Sequence, residues 1–359
     1  MKRSINYTAV ITAALAYCVA NLASAQTISN SSFTAETRTA PALASLEGNI
    51  YAAWKGQSGN QIWYTSGYPA WANQNRIAGA LTTKAPALAA MGSTLYVAWQ
   101  GENPDPADKI YYSTSTGGST FSAQQKVVTS SGQYAVSTSH PALAANGSMV
   151  YLAYTTESDT IMLASYTGSG GLWTIASTPA SGVTPDTAPA LALFGNELYL
   201  AWLEGPEGGP DNIMYASLSL SAGSWSTVSQ VEGDGFVAQT SVAPALAVNT
   251  VPNKEGQTPG LEIAWTAETS TGAFTINISQ LTGSGWNPPG PIPPGPLTIA
   301  NVSPALVNYD IQGTGCPDPN RTYYSFDVAY TGTNNEIGFA ILDQFSIMPI
   351  CHCFEGKCG

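Results

Sequence analysis

Short apolar runs, broken every few positions by Gly, Ser, Thr or Pro, recur along this chain at a nearly constant distance. The clearest is Ala40-Pro41-Ala42-Leu43-Ala44, which returns as Ala85-Pro86-Ala87-Leu88-Ala89, His140-Pro141-Ala142-Leu143-Ala144 and Ala188-Pro189-Ala190-Leu191-Ala192. It returns twice more, as Ala243-Pro244-Ala245-Leu246-Ala247 and Ser303-Pro304-Ala305-Leu306-Val307. The prolines stand 45, 55, 48, 55 and 60 residues apart, and 55 residues follow the last. Each proline opens a short strand. A second strand ends in an aromatic residue: Trp54, Trp99, Tyr154, Trp202, Trp265 and Tyr330. In four units that aromatic lies 13 residues beyond the proline. In the last two the gap widens to 21 and 26, through insertions around 252–260 and 313–320. Such insertions fit loops, where added length costs little chain entropy. A third strand follows, as in Ile62-Trp63-Tyr64, Ile110-Tyr111-Tyr112 and Ile213-Met214-Tyr215. Then comes a Gly/Ser turn and a fourth strand opened by an aromatic, as in Gly223-Ser224-Trp225-Ser226.

Four short strands in each of six units predict an all-β fold, a six-bladed β-propeller with four antiparallel strands per blade. The propeller is expected to span 26–343, with blades beginning near 40, 85, 140, 188, 243 and 303. Ser32-Phe33-Thr34-Ala35 aligns with the fourth-strand openings Thr120-Phe121-Ser122-Ala123 and Ser224-Trp225-Ser226. An N-terminal strand is therefore expected to complete the sixth blade, whose own strands are read at 304–307, 326–330 and 336–342. That arrangement closes the ring and removes open edges. The competing outer strand is 345–350.

The two ends of the chain read differently from the repeats. Met1-Lys2-Arg3, the apolar run from Ala9 to Val19 and the small residues Ala23-Ser24-Ala25 have the three-part form of a secretory signal peptide, with cleavage expected after Ala25. The apolar run is too short to span a bilayer. At the other end, 344–359 reads as a cysteine-containing tail. Cys316, Cys351, Cys353 and Cys358 remain after cleavage, and in an oxidising compartment four thiols imply disulfides of undetermined pairing. A metal set built on Cys351-His352-Cys353 and Cys358 is the alternative.

Composition narrows the function. The formal net charge is -12, from 23 acidic side chains against 11 Lys plus Arg, so a phosphate backbone would be repelled and nucleic acid is excluded as a partner. Only 9% of residues are charged, whereas 44% are hydrophobic and 10% aromatic, which argues for a packed β core and against disorder. No membrane insertion is expected.

The unit Ala-Pro-Ala-Leu-Ala, Leu95-Tyr96-Val97-Ala98-Trp99, Ile110-Tyr111-Tyr112-Ser113 and Gly118-Ser119-Thr120-Phe121 resembles the blades of sialidase-type propellers. These carry Ser-x-Asp-x-Gly-x-Thr-Trp turns, called Asp boxes. In four turns Ser113, Ser165, Ser217 and Ser279 are retained, and Phe121, Trp173, Trp225 and Trp286 close them. The Asp is replaced by Ser115, Thr167, Ser219 and Leu281. The turns are structural in that family. Its catalysis, as the resemblance implies, needs three arginines on a substrate carboxylate, an Asp acid/base, and a Tyr with a Glu partner. The mature chain has Arg38, Arg76 and Arg321. Arg38-Thr39-Ala40-Pro41 is similar to the family's Arg-Ile-Pro start with one residue added, which turns an extended side chain to the opposite face. A bidentate clamp would need all three guanidinium groups to converge.

Other chemistry is sparse. His140 and His352 are the two histidines, so a His-rich metal site is excluded, and nothing near His140 resembles a nucleophile elbow. No spacing singles out a carboxylate pair for glycoside hydrolysis. The loops between second and third strands are more informative: one carries Glu102, Asp105 and Asp108, another Glu204, Glu207 and Asp211. They open on the face that usually holds a propeller's ligand, and the six second-strand aromatics immediately precede them. Two readings stand for these aromatics. They are filler between blades, or their edges line repeated sugar pockets that gain affinity by multivalency. The acidic loops are solvated or hold Ca²⁺ through clustered oxygens; no other cofactor is expected. The 288–296 run is a stiff extended loop, with a PPII partner motif as the minor reading. Asn30, Asn146, Asn277, Asn301 and Asn320 stand in Asn-x-Ser/Thr triplets.

These readings converge on a secreted, lectin-like propeller that binds carbohydrate or a cell-surface glycan without catalysis. The alternatives are an exo-glycosidase of sialidase type using Arg38, Arg76 and Arg321, and a protein-binding adhesion scaffold.

Overall fold

The computed structural model describes residues 26–68, 70–102, 108–181, 183–184, 187–205, 210–251, 260–292, 298, 302–312 and 322–347. The signal-type segment, Asp105, Glu207, Arg321, His352 and the cysteines Cys316, Cys351, Cys353 and Cys358 lie outside the described residues, and the expected disulfides lie there with them.

Six antiparallel sheets are arranged as blades. The first uses Ala42–Leu46, Asn49–Lys55, Gln61–Ser66 and Asn75–Leu81. The second uses Ala87–Met91, Thr94–Gln100, Ile110–Thr116 and Gln125–Lys126. The third uses Ala142–Ala145, Val150–Thr155, Thr160–Tyr166 and Thr174–Ser181. In the fourth, Ala190–Phe194, Glu197–Glu204 and Asp211–Ser219 are followed by short outer pieces at Ser224–Trp225, Ser229–Gln230 and Gln239–Thr240. The fifth uses Ala245–Asn249, Gly260–Glu268 and Phe274–Thr282, with Gly285–Trp286 and Gly290–Pro291 outside. The sixth has Ala305–Gln312, Thr322–Thr331 and Ile337–Ile347, all longer than the sequence suggested; the last runs into the segment read as a separate tail. The innermost strands neighbour one another in chain order, and that of the sixth blade lies beside that of the first.

The N-terminus pairs with the sixth sheet, but not through the expected residues. Gln26 stands opposite Phe339 and Thr27 opposite Gly338, while the Ile28 amide donates to the Ile337 carbonyl at 2.8 Å. Phe33–Thr34, the expected fourth strand, instead folds back on Ser29–Asn30 as a two-stranded hairpin. The described residues of the competing segment, Phe345 to Ile347, continue the third strand. The reason is geometric. Phe33 stacks on Trp54 of the first blade (centroids 6.3 Å, planes 11° apart), so its ring belongs to the seam and not to the outer edge.

Blades meet through two recurring devices. The first is an edge-to-face aromatic pair, in which a turn aromatic of one blade meets the third-strand aromatic of the blade before it. Phe121 meets Tyr64 (4.9 Å, 81°), Trp173 meets Tyr112 (5.6 Å, 76°), Trp286 meets Tyr215 (5.4 Å, 88°) and Trp71 meets Phe339 (5.4 Å, 82°). Each is worth about 0.5–1.5 kcal/mol beyond its area burial. The second device is a polar clamp. In four blades the side chain after the second-strand aromatic reaches the lead-in of the next blade: Thr155 Oγ1 donates to the Thr187 carbonyl (2.8 Å), Thr266 Oγ1 to Val302 (2.8 Å), Thr331 Oγ1 to Thr39 (3.1 Å) and Gln100 Nε2 to Ser137 (2.6 Å). The lead-ins are held in hydroxyl turns four residues before the prolines, where Thr37, Thr82, Ser137 and Thr240 accept the amides of Thr39, Lys84, Ser139 and Val242.

The degenerate Asp-box turns keep their structural role. Ser113 Oγ donates to the Ser122 carbonyl at 2.7 Å and Ser279 Oγ to the Asn287 carbonyl at 2.5 Å, in each case one residue past the closing aromatic. Gly118 in the second blade's turn has φ +71, and a Cβ there would lie 2.1 Å from the Tyr51 hydroxyl. Only glycine satisfies both demands.

Candidate functional site

The strand pairing sorts the expected site residues by depth. Directly opposed residues share a sheet face, so the row running outward from each second-strand aromatic faces the preceding blade. In the first blade that row is Trp54, Trp63, Arg76; in the second it is Trp99, Tyr111, Lys126. In the third to fifth blades Tyr154 faces Met162, Trp202 faces Met214 and Trp265 faces Asn277. In the sixth Tyr330 faces Gly338, where a Cβ would lie 2.3 Å from the tyrosine ring.

The innermost member of each row is enclosed. Trp54, Trp99, Trp202 and Trp265 are 0–2% exposed, Tyr154 and Tyr330 4% and 6%. Trp99, for example, packs with Ile62, Tyr64 and Ile77 of the first blade. These six are inter-blade core, and none offers a ring face to a ligand. The reading that their edges line sugar pockets is corrected on that ground: sheets stacked face to face bury the second strand on both sides.

The third- and fourth-strand members of the first two rows are open. Trp63 and Tyr111 are half-buried, and Tyr111 stacks on Trp99 (6.1 Å, 17°). The Arg76 guanidinium lies 5.8 Å from the Trp63 ring centre, and Lys126 Nζ takes the same place 5.8 Å from Tyr111. Tyr134, 47% exposed, adds a second ring there, with Lys126 Nζ at 5.3 Å and Lys109 Nζ at 4.8 Å. Two consecutive blades thus present an aromatic ring beside a cation at the outer end of an inter-blade groove. Met162–Ser177, Met214–Gln230 and Asn277–Pro291 occupy the corresponding pairs of the next three.

The described acidic loop residues do not form one site. Glu102 Oε1 accepts from Asn60 Nδ2 of the first blade at 2.5 Å, and Glu204 Oε1 from the Trp202 indole N–H at 2.8 Å. Asp108 is exposed and Asp211 is buried, with its Oδ1 unpartnered. Among the described residues no three His, Cys, Asp or Glu side chains are grouped as metal ligands. Burial lowers the Lys55 ammonium below its ordinary range; Glu102 opposes that shift and Arg38 adds to it.

The described arginines do not converge. Arg38 lines the axial opening of the ring, whereas Arg76 lies on the outermost strand of the same blade, turned over Trp63. Three strand spacings, roughly 14 Å, separate the innermost and outermost strands. His140 lies at the axial opening, where burial and the neighbouring Lys84 ammonium push its imidazole down to about 4.

One signal in the sequence points to the open rows. Every Lys and Arg between residues 26 and 253 falls between Arg38 and Lys126, in the first two blades; 127–253 contains none. A scan for repeats looks past this, because it is a departure from the repeat.

No protein-family model matches the chain, and no curated protein matches it by sequence. Solved structures do. A mutant of the Aleuria aurantia lectin AAL in complex with Fucα1-6GlcNAc aligns at TM-score 0.58 with 16% identity, covering 87% of this chain and 97% of that one. A triple arginine-to-alanine mutant of AofleA from Arthrobotrys oligospora aligns at 0.58 with 15% identity, covering 88% of each chain. The Penicillium chrysogenum α-L-arabinanase complexed with arabinobiose aligns at 0.56 with 17% identity, covering 89% and 97%. At these identities the likeness establishes the fold: the chain is a six-bladed β-propeller.

Proposed function

We propose that this chain is a secreted glycan-binding propeller without catalysis, and that sugar is taken at the outer grooves of the first two blades. The observation that carries this is the repeated pair of ring and cation, Trp63 with Arg76 and Tyr111 with Lys126, at equivalent places in consecutive blades. An exposed ring face packs against the C–H face of a sugar, and a neighbouring guanidinium or ammonium donates to its hydroxyls. Tyr134 widens the second groove. Two similar weak sites on one rigid ring gain by multivalency when the glycan is branched or clustered. Propellers of this shape solved with bound Fucα1-6GlcNAc and arabinobiose support carbohydrate as the ligand class. Secretion rests on the basic, apolar and small-residue order of residues 1–25.

The separation of Arg38 from Arg76 favours binding over a sialidase-type reaction, which requires one carboxylate to touch both. A glycan array with the mature protein tests the reading, repeated on Trp63→Ala, Tyr111→Ala and Tyr134→Ala. Binding that falls at least tenfold in the variants is expected. An array on which nothing binds removes the lectin reading, and binding retained in all three variants removes the grooves. Intact mass of the exported protein, beginning at Gln26, checks the cleavage.

A further inference from the structure

The six lead-in segments meet at the ring axis, on the face where the second-to-third-strand loops open. The residues immediately before the six prolines are Ala40, Ala85, His140, Ala188, Ala243 and Ser303. A collar of alanine is thus broken twice, in the third and sixth blades, which stand opposite each other in a six-membered ring. Just upstream, the first blade contributes Arg38 and the second Lys84. These side chains line one pocket of about 200 Å³ together with Thr187, Ser241 and Ser303.

The lining is one-sided in charge. Its described residues include Arg38, Lys84 and His140 and no Asp or Glu, in a chain whose formal charge is -12. Asp186, at the matching place in the fourth lead-in, lies outside the described residues. Glu102 acts on Lys55, as Arg38 does, and is already engaged by Asn60. Arg38 disfavours the charge on Lys55, and Lys84 disfavours a charge on His140. Like charges gathered in a cleft with low-dielectric walls raise the potential at its mouth, and an anion relieves it. At neutral pH His140 is uncharged and has one N–H to donate.

Below the mouth the channel closes in. A waist of about 130 Å³ is lined by the six prolines with their flanking Ala and Leu residues, His140 and Ser303, and beyond it lies a bowl of about 550 Å³ lined mainly by Ala, Leu and Val with Ser45, Thr250 and Asn308. With His140 uncharged at neutral pH, no described residue lining the waist carries a counter-charge, so a charged group stops at the mouth. The mouth's volume corresponds to about seven waters at roughly 30 Å³ each. It admits an oxyanion and the few atoms that carry it.

We propose that the axial mouth is a binding site for a small oxyanion, a carboxylate or sulfate group on a molecule no larger than one sugar unit, held between Arg38 and Lys84 with His140 and Ser303 completing its hydrogen bonds. The site is separate from the rim grooves and does not depend on them.

The two histidines make the test direct, because His140→Asn identifies the His140 ring signal in an NMR spectrum of the mature protein. Acetate, sulfate and glucuronate are titrated separately at constant ionic strength set with chloride. At least one is expected to shift that signal saturably in the millimolar range or below. Lys84→Gln and Arg38→Gln are each expected to weaken binding about tenfold, the cost of losing one charge-assisted contact. Lys84→Arg is expected to restore it, and unchanged circular dichroism certifies the fold. Saturation by sulfate alone, or by the carboxylates alone, supports the site and names the group it takes. No saturable shift with any of the three at tens of millimolar overturns it, as does an affinity unchanged from wild type in both Gln variants.

Discussion

The first two blades and the following three are built on one plan and differ in what they show to solvent. Residues 26–126 carry six Lys or Arg against five Asp or Glu, a net of +1; residues 127–292, which cover the following three blades, carry one against twelve, a net of -11. Their interiors match. Trp99 and Trp202 occupy the same place on their second strands and are 0% and 1% exposed. Closing aromatics pack edge to face in both regions, Phe121 on Tyr64 and Trp286 on Tyr215. The outer ends of the grooves diverge: Tyr111 with Lys126 in one region stands where Met214 with Gln230 stands in the other. The difference teaches where constraint lies. Packing between blades demands equivalent residues in every unit, while the rim and the axial mouth are free to vary, and a fold's function resides in such grafted sites.

The largest expected effect tests the shared interior. Trp99→Ala and Trp202→Ala should each lower stability by about 3–5 kcal/mol in urea unfolding, as loss of a fully buried indole does. A cost below about 1 kcal/mol in either would break the claim that both regions share one kind of core.

The next concerns His140, where alanine stands in the first two and the fourth and fifth blades. Its folded-state value of about 4 lies below the ordinary 6.5. The unfolded chain therefore takes up the proton first as pH falls, and stability is lost between about pH 6.5 and pH 4. Because the ring is not fully enclosed, solvent screening limits the loss to about 2 kcal/mol. His140→Ala should thus gain about that much at about pH 4, and nothing at about pH 8, by the same unfolding measurement. An equal effect at both pH values would discard the linkage.

The inter-blade clamps come third. Thr155→Val and Thr331→Val each strip a hydroxyl from a carbonyl of the next blade and should cost about 1–2 kcal/mol. Equal costs would show that the seam between the last and first blades is held like the others; a much larger one at Thr331 would mark it as the weak joint. The smallest effect on stability belongs to the rim. Tyr134→Ala should change it by less than about 0.5 kcal/mol, and should weaken any glycan that the array selects. A glycan bound equally well by wild type and variant would move the site out of the second groove.

The sequence carried much of this. The Pro-anchored repeat placed six sheets, and the retained Ser113 and Ser279 marked turns that they do hold. Two further signals lie outside the repeat pattern: the Thr or Ser four residues before most of the prolines, and the crowding of cations before residue 127. The residues flanking Phe33 match a fourth-strand opening, yet pairing falls on Gln26 and Thr27. A two-residue strand carries too little pattern to set its own register, and the Phe33 ring found a larger burial against Trp54.

By itself the chain determined that there would be a ring, because six small sheets, each apolar on both faces, exclude water only by stacking on one another. Depth within a blade was decided by the tertiary structure. Trp54 and Trp63 look alike along the chain and lie opposite each other on one face, yet the inner is sealed and the outer open. Blades splay outward from the axis, so the gap between neighbours widens from the second strand to the fourth. That widening turns one tryptophan into core and leaves the other facing a groove.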